Sequence, residues 1–384
     1  MRRTDARTPA GTAIGEVDGR DVRIGRRWLT DFGSPCHLGL DVDEEVVDAV
    51  GEHLARWGAR CAFSEPTELH EQARCALSRL LCAGRIELWP SIERLHLEAL
   101  PALAGDGALF IDRDAGAALW AGATLARARG ALVRPFVWRD LGRLAALVAE
   151  AGRRPGVVCL SATDPVTGEP AALAEIASLA REWDLTVYVD DTAALGVLGE
   201  RSPFSASPYG IRGNGTLAHA GAGGERTVVA ASLERLCGSP LAFLAWSDQA
   251  VPDGSLDAPG GRGRFTPAAR RCPSATADLA LAIEGLRANE RRGERLRAEL
   301  HALSERALGG MSPAAGAARL PVLALEPQAA AELRRRGICA GSEPDGPRSM
   351  IMITAAHTPE QVDRLAAALA ELRLPFKPRS LQAE

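Results

Sequence analysis

Two adjacent acids, Asp190 and Asp191, end the segment LTVYVDD, where their type and position are suited to chemistry. The residues before them are apolar enough to predict a buried strand, which would deliver both carboxylates at its carboxyl end. Two acids there could bind a metal ion, act as general acid and base, or pair with a cationic cofactor ring. The alternative is that one acid caps the next turn while the other faces solvent.

A second chemically rich segment, AASLERLCG, presents a hydroxyl, a guanidinium and a thiol between two apolar runs. Cys237 is its candidate nucleophile, and the competing interpretation is a buried apolar cysteine. Of the 45 basic residues only one is lysine, Lys377, in the tail LPFKPRS. Because arginine stays protonated and cannot form a Schiff base, any mechanism with a lysine nucleophile must use Lys377.

The elements that must position these residues follow a regular alternation of strand and helix patterns. The segments ALFIDRD, VVCLSATDP, LTVYVDDTA and TVVAASL predict buried strands, and helical segments separate the first three. This order predicts an α/β fold with a doubly covered, mainly parallel sheet, whose ligands bind beyond the carboxyl ends of the strands. A long helix is predicted over Thr276–Leu308, followed by a small α+β domain. The predicted division is an N-terminal arm over 1–45, a large domain over 46–283 and a small C-terminal domain over 284–384.

Composition excludes several classes of function. The chain of 384 residues is 46% hydrophobic and 24% charged, with a formal net charge of −4, so no basic excess indicates nucleic acid. No apolar run is long enough for a membrane span, and the N-terminus lacks the apolar region of a secretory signal. The 8 cysteines form no CxxC pair, which argues against a metal site and is typical of a reducing compartment. We therefore expect a cytoplasmic protein.

Four segments together carry a resemblance to the α-oxoamine synthases, which include 8-amino-7-oxononanoate synthase, 2-amino-3-ketobutyrate CoA ligase and serine palmitoyltransferase. The family's opening segment, which usually ends in Asn-Asp-Tyr-Leu-Gly-Leu, resembles GRRWLTDFGSPCHLGLD. Its Pro-Leu-x-x-Ile helix and Val-Asp-Asp-Ala-His-Gly-x-Gly strand end resemble PAALAEIASLAREWDLTVYVDDTAALGVLGE. Its Gly-Arg-Gly-x-x-Glu-His-Phe-Gly loop and Ser/Thr-Ala-x-His-Thr helix start resemble GNGTLAHAG and MITAAHTPEQVDRLAAAL. The resemblance covers nearly the whole chain.

The resemblance implies the pyridoxal 5′-phosphate (PLP) fold of type I, shared with aminotransferases of class I/II, and a homodimer with active sites at its interface. These enzymes are acyltransferases that condense an amino acid with an acyl thioester and release carbon dioxide. PLP supplies the electron sink, and a lysine forms the aldimine with it. An aspartate holds the pyridine nitrogen, one histidine stacks on the ring, and a second bonds the ring oxygen.

Carried over residue by residue, the resemblance implies a degenerate PLP site. Asp190 corresponds to the pyridine-nitrogen partner, but Ala193 stands at the ring-oxygen histidine and Gly116 at the stacking histidine. The family's Thr/Ser-x-x-Lys corresponds to SLER. Ser232 thus keeps the phosphate hydroxyl, while Arg235 occupies the lysine position.

The other positions of the family's site also differ from the family's pattern. The glycine–aromatic pair that opens the phosphate-binding helix corresponds to Ser91 and Ile92. Ser342 falls nearest to the arginine that binds the substrate carboxylate. Ser274 and Thr276 lie near the phosphate contact that the other subunit lends. If the alignment with the family were shifted by one residue, Glu234 would stand at the lysine position, and a carboxylate also cannot form an aldimine.

Three hypotheses follow from this degenerate site. The first is a non-catalytic or regulatory homologue, a pseudoenzyme that pairs with itself or with an active paralogue, as in serine palmitoyltransferase, one of whose two subunits lacks the lysine. The second is a PLP-independent transferase that uses an acyl-CoA or acyl-carrier thioester, with Cys237 as nucleophile. The third is an enzyme similar to 8-amino-7-oxononanoate synthase that binds PLP noncovalently through Asp190, Ser232 and Arg235. We favour the first.

Overall fold

The structure is a computed structural model, and Lys377 lies outside the residues that it describes. The described residues are 13–61, 65–152, 156–222, 226–246, 274–308, 318–342 and 347–372.

The described residues form a seven-stranded sheet, a six-stranded sheet and eleven helices. The strands are β1 (Ile14–Asp18), β2 (Asp21–Ile24), β3 (Arg27–Phe32), β4 (Arg85–Trp89), β5 (Ala108–Asp112), β6 (Leu132–Phe136), β7 (Gly156–Ser161), β8 (Thr186–Asp190), β9 (Thr227–Leu233), β10 (Ser239–Trp246), β11 (Val322–Leu325), β12 (Ile338–Ser342) and β13 (Ser349–Met352). The helices are α1 (Glu44–Trp57), α2 (Glu68–Leu81), α3 (Ile92–Ala104), α4 (Ala117–Ala128), α5 (Leu141–Ala151), α6 (Leu173–Glu182), α7 (Thr216–Ala220), α8 (Glu234–Cys237), α9 (Thr276–Leu308), α10 (Pro327–Arg335) and α11 (Pro359–Glu371).

The large sheet has the order β4-β10-β9-β8-β7-β5-β6 and confirms the predicted mainly parallel α/β architecture. β6, β5, β7, β8 and β9 pair in parallel, whereas β10 runs antiparallel to both of its neighbours. The reversal follows from the short connection between β9 and β10, which holds only the single turn α8. Gly238 ends that turn in the left-handed conformation, with φ of 84°, which glycine adopts without strain.

Helices cover both faces of the large sheet, so its strands are apolar on both sides. In β8, Tyr188 packs with α3 and α4, while Val187 and Val189 pack with α5 and α6 on the opposite face. This alternation is the two-residue period of a strand, and burial of each such side chain contributes about 1.5–3 kcal/mol. The resulting core fixes the carboxyl ends of β8 and β9 side by side.

The small sheet joins strands from both ends of the chain. Its order is β1-β2-β3-β12-β13-β11, so the three strands of the predicted N-terminal arm belong to the same sheet as the C-terminal strands. α9 runs through the predicted boundary at 283 without interruption and packs against both α1 and α11. Its bounds agree with the prediction, but as one continuous helix it connects the two parts of the chain.

Among the described helices, none combines the length and apolarity that crossing a membrane requires. The described residues also bring together no group of three His, Cys, Asp or Glu side chains that could hold a metal ion.

Candidate active site

Asp190, the last residue of β8, is held by a buried histidine of α3. Its Oδ2 lies 3.0 Å from Nε2 of His96, and Nδ1 of that ring lies 2.8 Å from the Tyr188 hydroxyl. The other oxygen, Oδ1, accepts from the backbone N–H of Thr192 at 3.0 Å. Burial alone would raise the pKa of Asp190, but His96 and Thr192 together lower it. Asp190 is therefore an ionised carboxylate whose two oxygens both have partners.

The pKa of Asp191 is raised, whereas that of its neighbour Asp190 is lowered. Both of its oxygens accept from Thr216 at 2.7 Å, one from the backbone N–H and one from the hydroxyl, at the start of α7. Burial is the largest cause that raises the pKa of Asp191 to about 7, and the charge of Asp190 adds to it. Asp191 thus anchors a loop inside the protein. The alternative from the sequence was that one acid caps the next turn while the other faces solvent. Asp190 does cap the turn at Thr192, but Asp191 is buried and does not face solvent.

Ser232 lies in β9, the strand beside β8, and Arg235 lies in α8, the turn that follows β9. Ser232 is buried, and its N–H donates to the Thr192 hydroxyl at 3.0 Å, which ties the ends of β8 and β9 together. Arg235 extends from α8 towards the small sheet, where Nη1 lies 3.4 Å from Sδ of Met352. In this turn Glu234 is exposed to solvent and Arg235 is partly buried, whereas Leu236 and Cys237 are fully buried.

Burial is the largest influence on the charge of Arg235. It lowers the pKa of the guanidinium, and the charges of Glu234 and Asp190 counter this only in part. An arginine remains protonated after such a shift. The site therefore contains a fixed cation beside a fixed anion, Asp190.

His37 closes the site from the segment that follows β3. Its ring is fully buried, and Nδ1 lies 3.2 Å from the backbone oxygen of Ile353, the residue after Met352. Burial and then the charge of Arg235 lower the pKa of His37 to about 4, so the ring is neutral at physiological pH. Because a carbonyl oxygen only accepts, the neutral ring donates from Nδ1, and its Nε2 is an acceptor.

Cys237, the candidate nucleophile, lies in α8 with its Sγ 3.5 Å from the backbone oxygen of Leu233. It is fully buried, and burial raises the pKa of its thiol to about 12. A thiol in that state is a poor nucleophile because almost none of it is ionised near neutral pH. The structure favours the packing interpretation of Cys237.

Comparison with known proteins identifies the family. Over 372 residues, 92% of this chain and 89% of the relative, the sequence is 32% identical to 8-amino-7-oxononanoate synthase of Methylobacterium nodulans. The chain belongs to the α-oxoamine synthase family. The homologous enzyme of Bordetella petrii is 28% identical over 97% of the chain. No family model matches the sequence.

Solved structures of the α-oxoamine synthase family share the fold. Serine palmitoyltransferase of Sphingomonas wittichii has a TM-score of 0.77 at 18% identity and covers 95% of this chain and 93% of its own. The 8-amino-7-oxononanoate synthase of Francisella tularensis has a TM-score of 0.64 at 12% identity and covers 90% of this chain and 97% of its own. These likenesses confirm the PLP-transferase fold of type I.

The positions that correspond to the two histidines of the α-oxoamine synthase family lie at the site but present no ring. Gly116 precedes α4, directly after the carboxyl end of β5. Ala193 follows Asp190 by three residues and is partly buried. Ser91 is the N-cap of α3, where its hydroxyl accepts from the backbone N–H of Arg94 at 3.4 Å. The helix that corresponds to the family's phosphate-binding helix is therefore capped by its own serine.

Three further predicted residues lie away from Arg235 in the described residues. Ser342 is exposed at the end of β12 and pairs with Ser349 in β13. Ser274 is buried just before α9, and Thr276 is fully buried at its first residue, where its N–H donates to the Arg60 oxygen at 2.9 Å. Their expected contact with the other subunit stays a prediction.

Two histidines that contact or face the charged groups of the site, His96 and His37, were not predicted from the sequence. His96 had one sequence signal: it shares the apolar face of α3 with Ala99 and Leu100, where a histidine needs a polar partner. His37 had none, because nothing local shows that its segment packs against β13 and α8.

Proposed function

We propose that this protein is a non-catalytic member of the α-oxoamine synthase family, a subunit that keeps the fold and acts by pairing with an active paralogue. The observation that carries the proposal is Arg235. It lies in α8 with its guanidinium beside Met352, and the resemblance of SLER to the family's Thr/Ser-x-x-Lys aligns it with the lysine that binds PLP. A guanidinium cannot form a Schiff base with an aldehyde.

The residues of the site do not fit a covalently held PLP. Asp190 and Ser232 are retained, but Gly116 and Ala193 offer neither stacking nor a hydrogen bond to a ring. The described residues contain no lysine. We therefore derive no catalytic step through PLP. The single lysine, Lys377, follows the last helix in the sequence.

The acyl-thioester alternative lacks support at its nucleophile. Cys237 is enclosed between α8 and α9, and an added methyl on Gly285 of α9 would lie 2.6 Å from its Sγ. An acyl group on that sulfur would require α9 to separate from the turn. Cys36, a second thiol near the turn, is likewise buried, and burial raises its pKa well above the ordinary value.

The noncovalent PLP alternative is favoured by one specific observation. The hydroxyl of Ser232 is buried and lacks a hydrogen-bond partner among the described residues, so it is available to an external group. The absence of a ring at Gly116 and Ala193 opposes this alternative, since an unattached cofactor would depend on such contacts for its affinity.

A partner assay tests the proposal. The full-length chain is expressed alone and together with the lysine-bearing α-oxoamine synthase of its own genome. Each preparation is given an amino acid and an acyl-CoA, and carbon dioxide release is measured. We expect no activity alone, co-purification with the paralogue, and a changed rate or stability of the paralogue in the complex. Condensation by the isolated chain would contradict the proposal, as would two proteins that neither associate nor affect each other.

A further inference from the structure

Helix α7 is a single helical turn that lies between two glycines. Gly215 precedes it with φ of 98°, and Gly221 ends it with φ of 62°. Both values lie in the left-handed region, which glycine adopts at no steric cost. A helix of 5 residues has too few internal hydrogen bonds to be stable by itself. The position of α7 therefore depends on its contacts with the rest of the protein.

Two titratable side chains hold α7 in place. Asp191, directly after β8, accepts from the N–H and the hydroxyl of Thr216 at 2.7 Å each. The backbone runs directly against this carboxylate, because a Cβ added to Gly215 would lie 2.1 Å from Asp191 Oδ2. At the other end of α7, Nδ1 of the buried His219 lies 2.9 Å from the backbone oxygen of Gly199. Each attachment is therefore sensitive to the protonation of one group.

No cation among the described residues is paired with Asp191. Its charged neighbour is Asp190, which is itself an ionised carboxylate. The buried arginine of α9 that contacts the turn after β8, Arg297, donates instead to the backbone oxygen of Gly196 and to the side chain of Asn289. A buried carboxylate with neutral donors and an anionic neighbour favours its protonated form. The attached position of α7 is thus the one in which Asp191 keeps a proton.

Release of α7 would expose Asp191 to water and return its pKa from about 7 towards the ordinary 3.8. The contribution of this proton to the attached position is complete below the lower value and is lost as pH rises through the higher one. The effect of His219 has the opposite sign, because burial and then the charge of Arg201 lower the pKa of its ring. The contribution of Asp191 is therefore separated by comparison with a variant that keeps His219.

We propose that α7 is a pH-dependent element beside Asp190, which stays attached while Asp191 is protonated and detaches at Gly215 and Gly221 when Asp191 ionises. The inference goes beyond the proposed function, because α7 can move whether or not the chain pairs with an active paralogue. Failure of the hydrogen-exchange experiment therefore leaves the partner assay valid, and the reverse also holds.

Amide hydrogen exchange of the full-length protein, read by mass spectrometry at about pH 6, 7 and 8, tests this movement. Division of each rate by the intrinsic exchange rate at that pH gives the opening constant of the segment 215–221. We expect this constant, relative to that of Asp191→Asn at the same pH, to rise about tenfold from pH 6 to pH 8. The asparagine cannot ionise but still accepts from the Thr216 N–H, and His219 is common to both proteins. Asp106→Asn, at an exposed aspartate, is the matched control and should follow the unaltered protein.

A second variant provides the test if Asp191→Asn does not fold. Thr216→Val removes a hydroxyl that lowers the pKa of Asp191, so the pH at which α7 detaches should rise by about 0.5–1. The opening constant of 215–221 should also exceed that of the centre of α9 at least about tenfold, because α7 moves without global unfolding. The proposal is overturned if the relative opening constant changes less than about twofold between pH 6 and pH 8, or if α7 opens only together with α9.

Discussion

Arg20 and Arg235 approach the same short segment, residues 352–354, but their surroundings are opposite. Arg20 donates to both oxygens of Asp41, to the backbone oxygen of Cys36 and to the Thr354 hydroxyl. Arg235 has one contact with this segment, the sulfur of Met352. The two arginines therefore differ in the hydrogen-bond acceptors that the described residues provide: Arg20 has four oxygen acceptors, and Arg235 has one sulfur.

This difference divides the polar side chains of the site into those that have partners within the protein and those that lack them. Arg20 and the Asp190–His96 pair are complete within the described residues, and such groups add stability and position. Arg235 and Ser232 are incomplete there, and a group of that kind reduces stability until something binds.

The largest expected effect is that of Arg20→Met. It removes the cationic partner of Asp41, whose largely buried carboxylate then keeps only the Ser34 hydroxyl at 3.1 Å, so we expect a loss of about 3 kcal/mol in the free energy of unfolding. Urea unfolding followed by circular dichroism measures it. A loss below about 1 kcal/mol would show that Arg20 is no better satisfied than Arg235 and would remove the contrast between them.

We expect added side-chain volume on α9 to destabilise the protein where α9 packs against the turn that carries Arg235. In Gly285→Ala the new Cβ would lie 2.3 Å from Cβ of Cys237, so overpacking should cost about 2 kcal/mol. Gly51→Ala in α1 is the matched control: its Cβ meets no atom within 4 Å, and we expect a gain of about 0.5–1 kcal/mol. Equal effects of the two variants in thermal unfolding would contradict the close packing of Cys237.

The pH dependence of stability should contain a contribution from Asp191. Its folded pKa of about 7 lies above the unfolded value of 3.8, so the folded state holds a proton that the unfolded state has lost. Stability from this source is complete below the unfolded pKa and falls as pH rises, by about 1.4 kcal/mol between pH 6 and 8. Asp190, whose pKa is lowered, acts in the opposite sense and only at acidic pH.

The measurement for Asp191 is the unfolding free energy of the unaltered protein and of Asp191→Asn at these two pH values. The variant should lose less stability than the unaltered protein over that interval. An identical pH profile for the two proteins would show that Asp191 is ionised throughout, as Asp190 is.

The smallest expected effect, and the reverse of Arg20→Met, is that of Arg235→Met. Removal of a cation that lacks a carboxylate partner should raise the free energy of unfolding by about 1 kcal/mol. Urea unfolding measures it. A loss of about 3 kcal/mol would mean that Arg235 has a structural role similar to that of Arg20.

The sequence predicted the features that depend on local patterns. Apolar periodicity located α9 at Thr276–Leu308, and the alternation of strands and helices predicted the parallel sheet. Family motifs pointed to Asp190, Ser232 and Arg235, whose roles stay predictions. The sequence did not predict features that depend on distant contacts. His96 lies 94 residues from Asp190 in the sequence, and β3 of the predicted arm pairs with β12, more than 300 residues away.

The most direct test of the central claim is to add PLP, reduce with borohydride and map the modified peptides. The full-length protein and Arg235→Lys are compared. We expect no adduct within 226–246 of the unaltered protein, and an adduct at position 235 of the variant, because Asp190 and Ser232 are retained. An unaltered protein whose Lys377 takes up PLP stoichiometrically, with amino-acid condensation activity, would contradict the claim that Arg235 has replaced the attachment site.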